Sequence, residues 1–361
     1  MNIWLLLGIV AMVFIVIFQI AKASEYVNVL KGEKKSREQH NRINAFMMLA
    51  FLVVGLVGAY FCNKHLYPKT LFAQGSASEE GKMIDTMFMV TTAITGFVFL
   101  LTQVALFWFS FRYQEKEGRK AFYIPHNNKL EVIWTVIPAI ALTVLVVIGL
   151  RHWFKITGDP PKDAMVVEVT GKQFGWIFRY PGKDGELGKR HYTLIREAEG
   201  NSLGQDWADS KNFDDIMPST MYLVKNKPVK LVIGSRDVIH DVGLPHFRLK
   251  MDAVPGIPTT LWFTPIYTTK EMKERLKNPD FEYELVCDQL CGNSHYAMRG
   301  LIIVVTQEEF DAIMIKQKPN YYAVFPEKDP ANNKAVAAAD STKPATAKLV
   351  PGATAGNKTK M

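Results

Sequence analysis

Residues 287–298 read Cys287-Asp288-Gln289-Leu290-Cys291-Gly292-Asn293-Ser294-His295-Tyr296-Ala297-Met298. Two cysteines, a histidine and a methionine within one short loop form a dense set of soft ligands. Thiolate and thioether sulfur favour copper, and imidazole suits it as well. One further imidazole from elsewhere would complete a copper site. The chain has three cysteines in all. Two close cysteines outside the cytoplasm would by default form a disulfide, so for Cys287 and Cys291 alone that alternative stays open. Cys62 ends an apolar run, has no small-residue lipid-attachment signal before it, and reads as a buried structural thiol.

Working outward, the missing imidazole has two candidates in Ser235-Arg236-Asp237-Val238-Ile239-His240-Asp241-Val242-Gly243-Leu244-Pro245-His246. His240 follows a strand at 229–234 and a short loop, and His246 is its competitor. The surrounding sequence has the texture of an all-β unit. Short runs rich in Val, Ile, Phe and Tyr at 165–170, 174–180, 221–224, 229–234, 259–264, 283–286 and 300–306 are separated by turn residues. Such spacing argues for a sandwich or barrel. The polar stretch 183–218 reads as an insertion loop, and 308–315 as a short helix after the last strand. Beyond Pro326 the sequence is Ala, Lys, Thr, Asn and Pro, too poor in large apolar residues to offset its ordering entropy, so a disordered tail is expected. The absence of a Cys-X-X-Cys-His motif excludes an attached c-type haem.

The N-terminal half differs in kind. Apolar segments at 3–21, 43–61, 84–111 and 132–150 are each long enough to cross a bilayer, which takes about 20 residues. The first lacks the positive flank of a cleaved leader and reads as a retained span. Basic residues set the orientation. The first loop carries Lys22, Lys31, Lys34, Lys35, Arg37 and Arg42, and the third Arg112, Lys116, Arg119, Lys120 and Lys129. In the second, Lys64, Lys69 and Lys82 are offset by Glu79, Glu80 and Asp85. Loops one and three are then cytoplasmic, with both termini and the β unit on the far side. The threonines of the third span read as helix-packing residues. Pro138 is expected to kink the fourth span. The net charge of +8 does not mark a nucleic-acid protein, because residues 152–325 carry 22 Lys and Arg against 23 Asp and Glu. The surplus sits in the membrane loops and the tail.

Taken together, Cys287–Met298, the upstream Asp237-Val238-Ile239-His240, the stretch Lys250-Met251-Asp252-Ala253-Val254-Pro255-Gly256 and the fourth-span sequence from His126 to Pro138 resemble subunit II of the haem-copper cytochrome c oxidases. The resemblance covers about residues 84–315. It implies an α+β membrane protein in which transmembrane helices precede a cupredoxin-like Greek-key β-barrel. Four parts follow: two extra N-terminal helices (1–63), the family's helical hairpin (64–151), the extracytoplasmic copper domain (152–325) and the tail (326–361).

By the same resemblance, the domain carries two copper ions as a dinuclear copper-A centre bridged by Cys287 and Cys291. His240 and His295 each bind one ion, while Met298 and the backbone carbonyl of Gln289 are weak ligands. His246 is then not a ligand. Phe174 and Trp176 lie in the segment that receives electrons, with Phe174 where the family has tryptophan. Glu131 corresponds to a carboxylate at the cytoplasmic mouth of a proton pathway, although without the resemblance it reads as a solvated interfacial group. Asp252 corresponds to an acidic residue near the copper and the subunit interface. Gln289 replaces a family glutamate, so magnesium or manganese binding at the interface is in doubt, since hard cations prefer carboxylate.

The implied function is a subunit of an oxygen-reducing, proton-translocating oxidase in the bacterial cytoplasmic membrane, with its copper domain and both termini periplasmic. It would take electrons from a cytochrome c and pass them to haem a of the catalytic subunit I, beside subunit III and within a larger supercomplex. Nucleic acid is not an expected partner. A quinol oxidase subunit would lack the ligands. A membrane-anchored zinc-binding or copper-delivery protein, the remaining alternative, would need neither Met298 nor Glu131.

Overall fold

The computed structural model describes residues 3–116 and 118–331. The described residues divide into two compact units, one within Met1–Asp159 together with Pro245–Leu249, the other within Pro160–Leu244 together with those from Lys250 to Ala331.

The first unit is helical: α1 (Ile3–Lys31), α2 (Glu33–Leu66), α3 (Leu71–Gln74), α4 (Glu79–Arg112) and α5 (Asn128–Thr157). Four of these helices are long and apolar enough to cross a membrane. The loop expected between the first two spans is almost wholly helical. Its Lys, Glu, Gln and Arg residues are good helix formers, Arg37 pairs with Glu33 one turn before it (2.7 Å), and the chain turns only at Gly32, with φ +81°. Cys62 is exposed on α2, not buried as its sequence context suggested, because α2 is an almost entirely exposed helix in the isolated chain. Helix α5 runs unbroken through Pro138. Thr95, Thr102 and Thr143 spend their hydroxyls on the carbonyls of Thr91, Val98 and Ala139 one turn back. This satisfies them inside their own helices rather than against a neighbour.

The start of α4 is tied to the segment Pro245–Leu249. Ser78 caps the helix by accepting the Gly81 N–H and donates its own hydroxyl to the Phe247 carbonyl (2.7 Å). A Cβ at Gly81 would fall 2.5 Å from that carbonyl, so no larger residue fits. Arg248 reaches Asp85 and the Leu71 carbonyl.

The second unit is a two-sheet sandwich. In chain order its elements are β1 (Met165–Lys172), β2 (Gly175–Arg179), β3 (Met221–Val224), β4 (Val229–Ser235), β5 (His240–Leu244), β6 (Leu249–Ala253), β7 (Thr259–Phe263), α6 (Thr269–Leu276), β8 (Tyr283–Cys287), β9 (Arg299–Val305), α7 (Gln307–Lys316) and α8 (Asn320–Val324). One sheet has the order β2-β1-β4-β7 and the other β3-β9-β8-β5-β6. Alternation buries Val229, Leu231 and Ile233 of β4, and Leu223, Leu285 and Ile302 of the second sheet, all completely inaccessible.

The segment 183–218 contains no regular strand, as its composition suggests, but it is fastened down. Arg179 of β2 is 2% exposed and donates to Glu168 (2.5 Å), Asp215 (2.9 Å), the Gly188 carbonyl and Asn212. Order also continues past Phe325: Pro326–Lys328 form a 3-10 turn, and the Lys328 ammonium sits over the rings of Tyr321 and Phe325. The rest of the expected disordered tail, 332–361, lies outside the described residues.

Candidate metal centre

The second sheet places the ligand candidates. Strand β8 ends at Cys287 and pairs antiparallel with β5, Cys287 opposite Val242, which sets Cys287 beside His240 at the start of β5. The loop then runs to Met298, where β9 begins. Its two ends are pinned together by the Cys287 N–H donating to the Met298 carbonyl (3.2 Å). Within it, a 3-10 turn over His295–Ala297 turns His295 back toward Cys291.

The donor atoms converge. Cys287 Sγ lies 3.8 Å from His240 Nδ1, 3.8 Å from Cys291 Sγ and 3.2 Å from the Gln289 carbonyl oxygen. Cys291 Sγ lies 3.7 Å from His295 Nδ1 and 3.8 Å from Met298 Sδ. Ligand atoms of a tetrahedral centre, with metal–sulfur bonds of about 2.3 Å and metal–nitrogen bonds of about 2.0 Å, stand roughly 3.5–3.8 Å apart. Each neighbouring pair therefore has the spacing of two donors to a shared metal. The cysteines are free thiols, not a disulfide. His240, Cys287 and Cys291 are buried with donor atoms all within 4.8 Å of one another; His295 falls outside that set. His246 lies in the turn Pro245–Phe247, which belongs to the first unit.

Other residues shape the site. Asp237 Oδ1 accepts from His240 Nε2 (2.8 Å), leaving Nδ1 to face Cys287. Burial opposes the Asp237 charge, yet the Gln173 and Val238 N–H groups and His240 hold its carboxyl below the usual range. Burial pushes the Cys291 thiol up to about 11, and the adjoining Cys287 adds to this. A metal must therefore displace protons to bind. Trp176 packs on Cys287, Cys291 and Met298 and stands edge-on to His240 at 6.0 Å. Phe174, 40% exposed, lies over Gly292, where a Cβ would meet its ring at 2.9 Å. Asp252 lies beside Asp241; burial first, then Asp252, push the Asp241 carboxyl up to about 7. Glu131 is exposed in the first turn of α5, where its Oε1 accepts the Asn127 N–H at 3.4 Å. The side chain of Gln289 is exposed and offers no carboxylate.

Sequence reasoning did not single out Asp237, Gln173 or Gly171 as parts of this site. Asp237 carried a signal, an acid one turn before a candidate ligand histidine, since such histidines usually bond a carboxylate through their second nitrogen.

A β-sandwich that gathers two thiols, two imidazoles and a thioether around one loop offers the soft donors that copper favours. Residues 67–152 match the family model of the cytochrome c oxidase subunit II transmembrane domain, and residues 165–307 that of its periplasmic domain. The alternative cytochrome c oxidase subunit 2 of Bradyrhizobium diazoefficiens is 36% identical over 65% of this chain and 80% of its own length. The cytochrome c oxidase subunit 2 of Thermostichus vulcanus is 27% identical over 73% of this chain and 82% of its own. A solved periplasmic domain of subunit II from Bradyrhizobium japonicum is 25% identical, covers 43% of this chain and 93% of that one, and gives a TM-score of 0.29. The chain belongs to the cytochrome c oxidase subunit II family. It is a membrane-bound electron-transfer subunit of a haem-copper oxidase, with an exported cupredoxin-like copper domain, and works with partner subunits such as subunit I.

Proposed function

We propose that Cys287, Cys291, His240, His295, Met298 and the carbonyl of Gln289 hold a dinuclear copper-A centre that takes electrons from a cytochrome c and passes them to haem a of subunit I. The observation that carries this reading is the spread of the donors. His240 and His295 approach the thiol pair from opposite ends, His240 near Cys287 and His295 near Cys291, and the two imidazoles do not share one compact set. A single tetrahedral ion needs all four donors on one sphere, whereas donors spread along the thiol pair would suit two ions, with Cys287 and Cys291 between the two imidazoles.

Copper held by Cys287, Cys291, His240, His295 and Met298 would supply one-electron redox chemistry. The protein's part is ligation, orientation and insulation. Asp237 fixes the tautomer and direction of His240. Trp176 packs on the thiol pair. Phe174, half-exposed and pressed on the Cys291–Gly292 backbone, is where the donor approaches. Gln289 provides its carbonyl but not the hard oxygen that magnesium or manganese prefers, so no role is assigned to a cation there.

The same reading gives Glu131 the role of proton acceptor at the cytoplasmic mouth of α5, puts both termini in the periplasm of a bacterial inner membrane, and assigns residues 1–63 to contacts with further subunits, subunit III or a supercomplex partner. Metal analysis of the full chain, purified in detergent, tests the core of it. Two coppers per chain are expected, and one zinc in a colourless protein would overturn the proposal.

A further inference from the structure

We infer that Gln173 is a positioning residue that locks the His240 side of the metal centre to its Cys291 side; the inference rests on the ligand set proposed above. Gln173 lies in the turn between β1 and β2 and touches both ligand segments. Its backbone N–H donates to Asp237 Oδ2 at 2.8 Å, while the other oxygen of that carboxylate receives His240 Nε2. Its side-chain amide Nε2 donates to the Cys291 carbonyl at 2.6 Å. A continuous path thus runs His240, Asp237, Gln173, Cys291. It ties the loop before β5 to the loop after β8, beyond the strand pairing that brings the two side by side.

The flanking residues make this turn a fixed support. Lys172, just before Gln173, and Arg236, just before Asp237, both donate to Glu197 at 2.7 Å. The Lys172 hydrogen bond is foremost in holding the Glu197 carboxyl below its usual range, with Arg236 adding to it. The Arg236 N–H also donates to the Gly171 carbonyl (3.0 Å). Glu197 belongs to the 183–218 insertion, so that segment braces the turn from outside. On the other side of Gln173, the Phe174 ring bears on Gly292, whose φ of +135° and lack of a Cβ allow the close approach.

Two consequences follow from electrostatics. An N–H donor aimed at the backbone of a ligand cysteine favours the reduced, more electron-rich state, so losing it lowers the reduction potential. Losing the link also lets the Cys291 loop drift from His240, which speeds copper release. The side chain of Gln173 is exposed, so the substitutions are not expected to disturb the core.

The test uses the full chain in detergent, loaded with copper, and reads the midpoint potential and the rate of copper loss to a chelator. Gln173→Glu keeps the size and the backbone link but replaces the donor with a charged acceptor. It is expected to shift the reduced-to-oxidised ratio about threefold toward the oxidised state, roughly 30 mV at 59 mV per tenfold for one electron, and to release copper several-fold faster. Gln173→Met, which loses only the donor, is expected to move both readouts in the same direction by less, and it carries the test alone if the Glu variant does not load. Wild-type potential and release rate in both loaded variants would overturn the inference while leaving the copper-A reading intact. A wild-type chain that takes up no copper would overturn that reading itself.

Discussion

Replacing Gly171 by alanine places a methyl group 2.7 Å from Cδ2, 3.0 Å from Cγ and 3.2 Å from Cβ of His240. Carbon atoms at rest stand about 3.5–4.0 Å apart, so the imidazole must move by most of an ångström. It has little freedom to do so. His240 is fully buried, its Nε2 is held by Asp237, and its Nδ1 faces Cys287. The backbone at Gly171 adopts no left-handed conformation, so alanine introduces no strain of its own and the variant isolates the steric effect. Overpacking of this kind costs ~1–3 kcal/mol, which corresponds to a loss of roughly 5- to 150-fold in copper affinity if the bound state bears it. Competition with a copper chelator on the full chain measures the affinity, and the melting temperature of the metal-free chain measures whatever part the apoprotein bears. Unchanged affinity, visible spectrum and apoprotein melting would mean the ring is free to shift, and would refute the clamped geometry of His240.

Other substitutions probe separate parts of the account. Met298→Leu, which keeps the packing against Trp176 but loses the thioether, is expected to retain both coppers and shift the potential; metal analysis with a redox titration checks this, and loss of all copper would show the weak-ligand role to be wrong. Gln289→Glu restores a hard oxygen at the exposed tip of the loop, so the assembled oxidase should bind manganese more tightly, read by the manganese electron paramagnetic signal. Arg179→Ala leaves the buried Asp215 without its cation, whereas Glu168 keeps Arg190 at 2.8 Å, and a buried charge stripped of its partner costs ~3–5 kcal/mol; urea unfolding of the copper domain should show the loss, together with protease cleavage in 183–218. Glu131→Gln is expected to slow proton uptake by the assembled oxidase without changing copper content, measured by proton uptake after a reductant pulse.

Much of the fold was legible because alternation and apolar length are properties of the sequence itself. Strand β3 falls where its run of Met221–Val224 predicts, and the helices contain all four apolar segments. Strands β5 and β6 were not foreseen. Gly243, Pro245 and a scatter of charged residues hide their pattern, and their burial comes from the sheet they join. Helix α6 is equally polar, but the Thr268-to-Glu271 capping box that starts it is a local signal that could have been read. Cys62 was misjudged because an apolar helix in a membrane presents its side chains outward rather than to a core. At the site, the loop from Cys287 to Met298 declared its own chemistry. The supporting shell did not: Gln173 and Gly171 fall in the segment set apart for Phe174 and Trp176, but their own reach to His240 and Cys291 comes only from the folding of β1 against β5.

The central claim is that two copper ions share one unpaired electron between Cys287 and Cys291. Electron paramagnetic resonance of the copper-loaded, air-oxidised full chain tests this most directly. The account predicts a narrow hyperfine pattern from one electron spread equally over two copper nuclei. A spectrum from a single, isolated copper would contradict it.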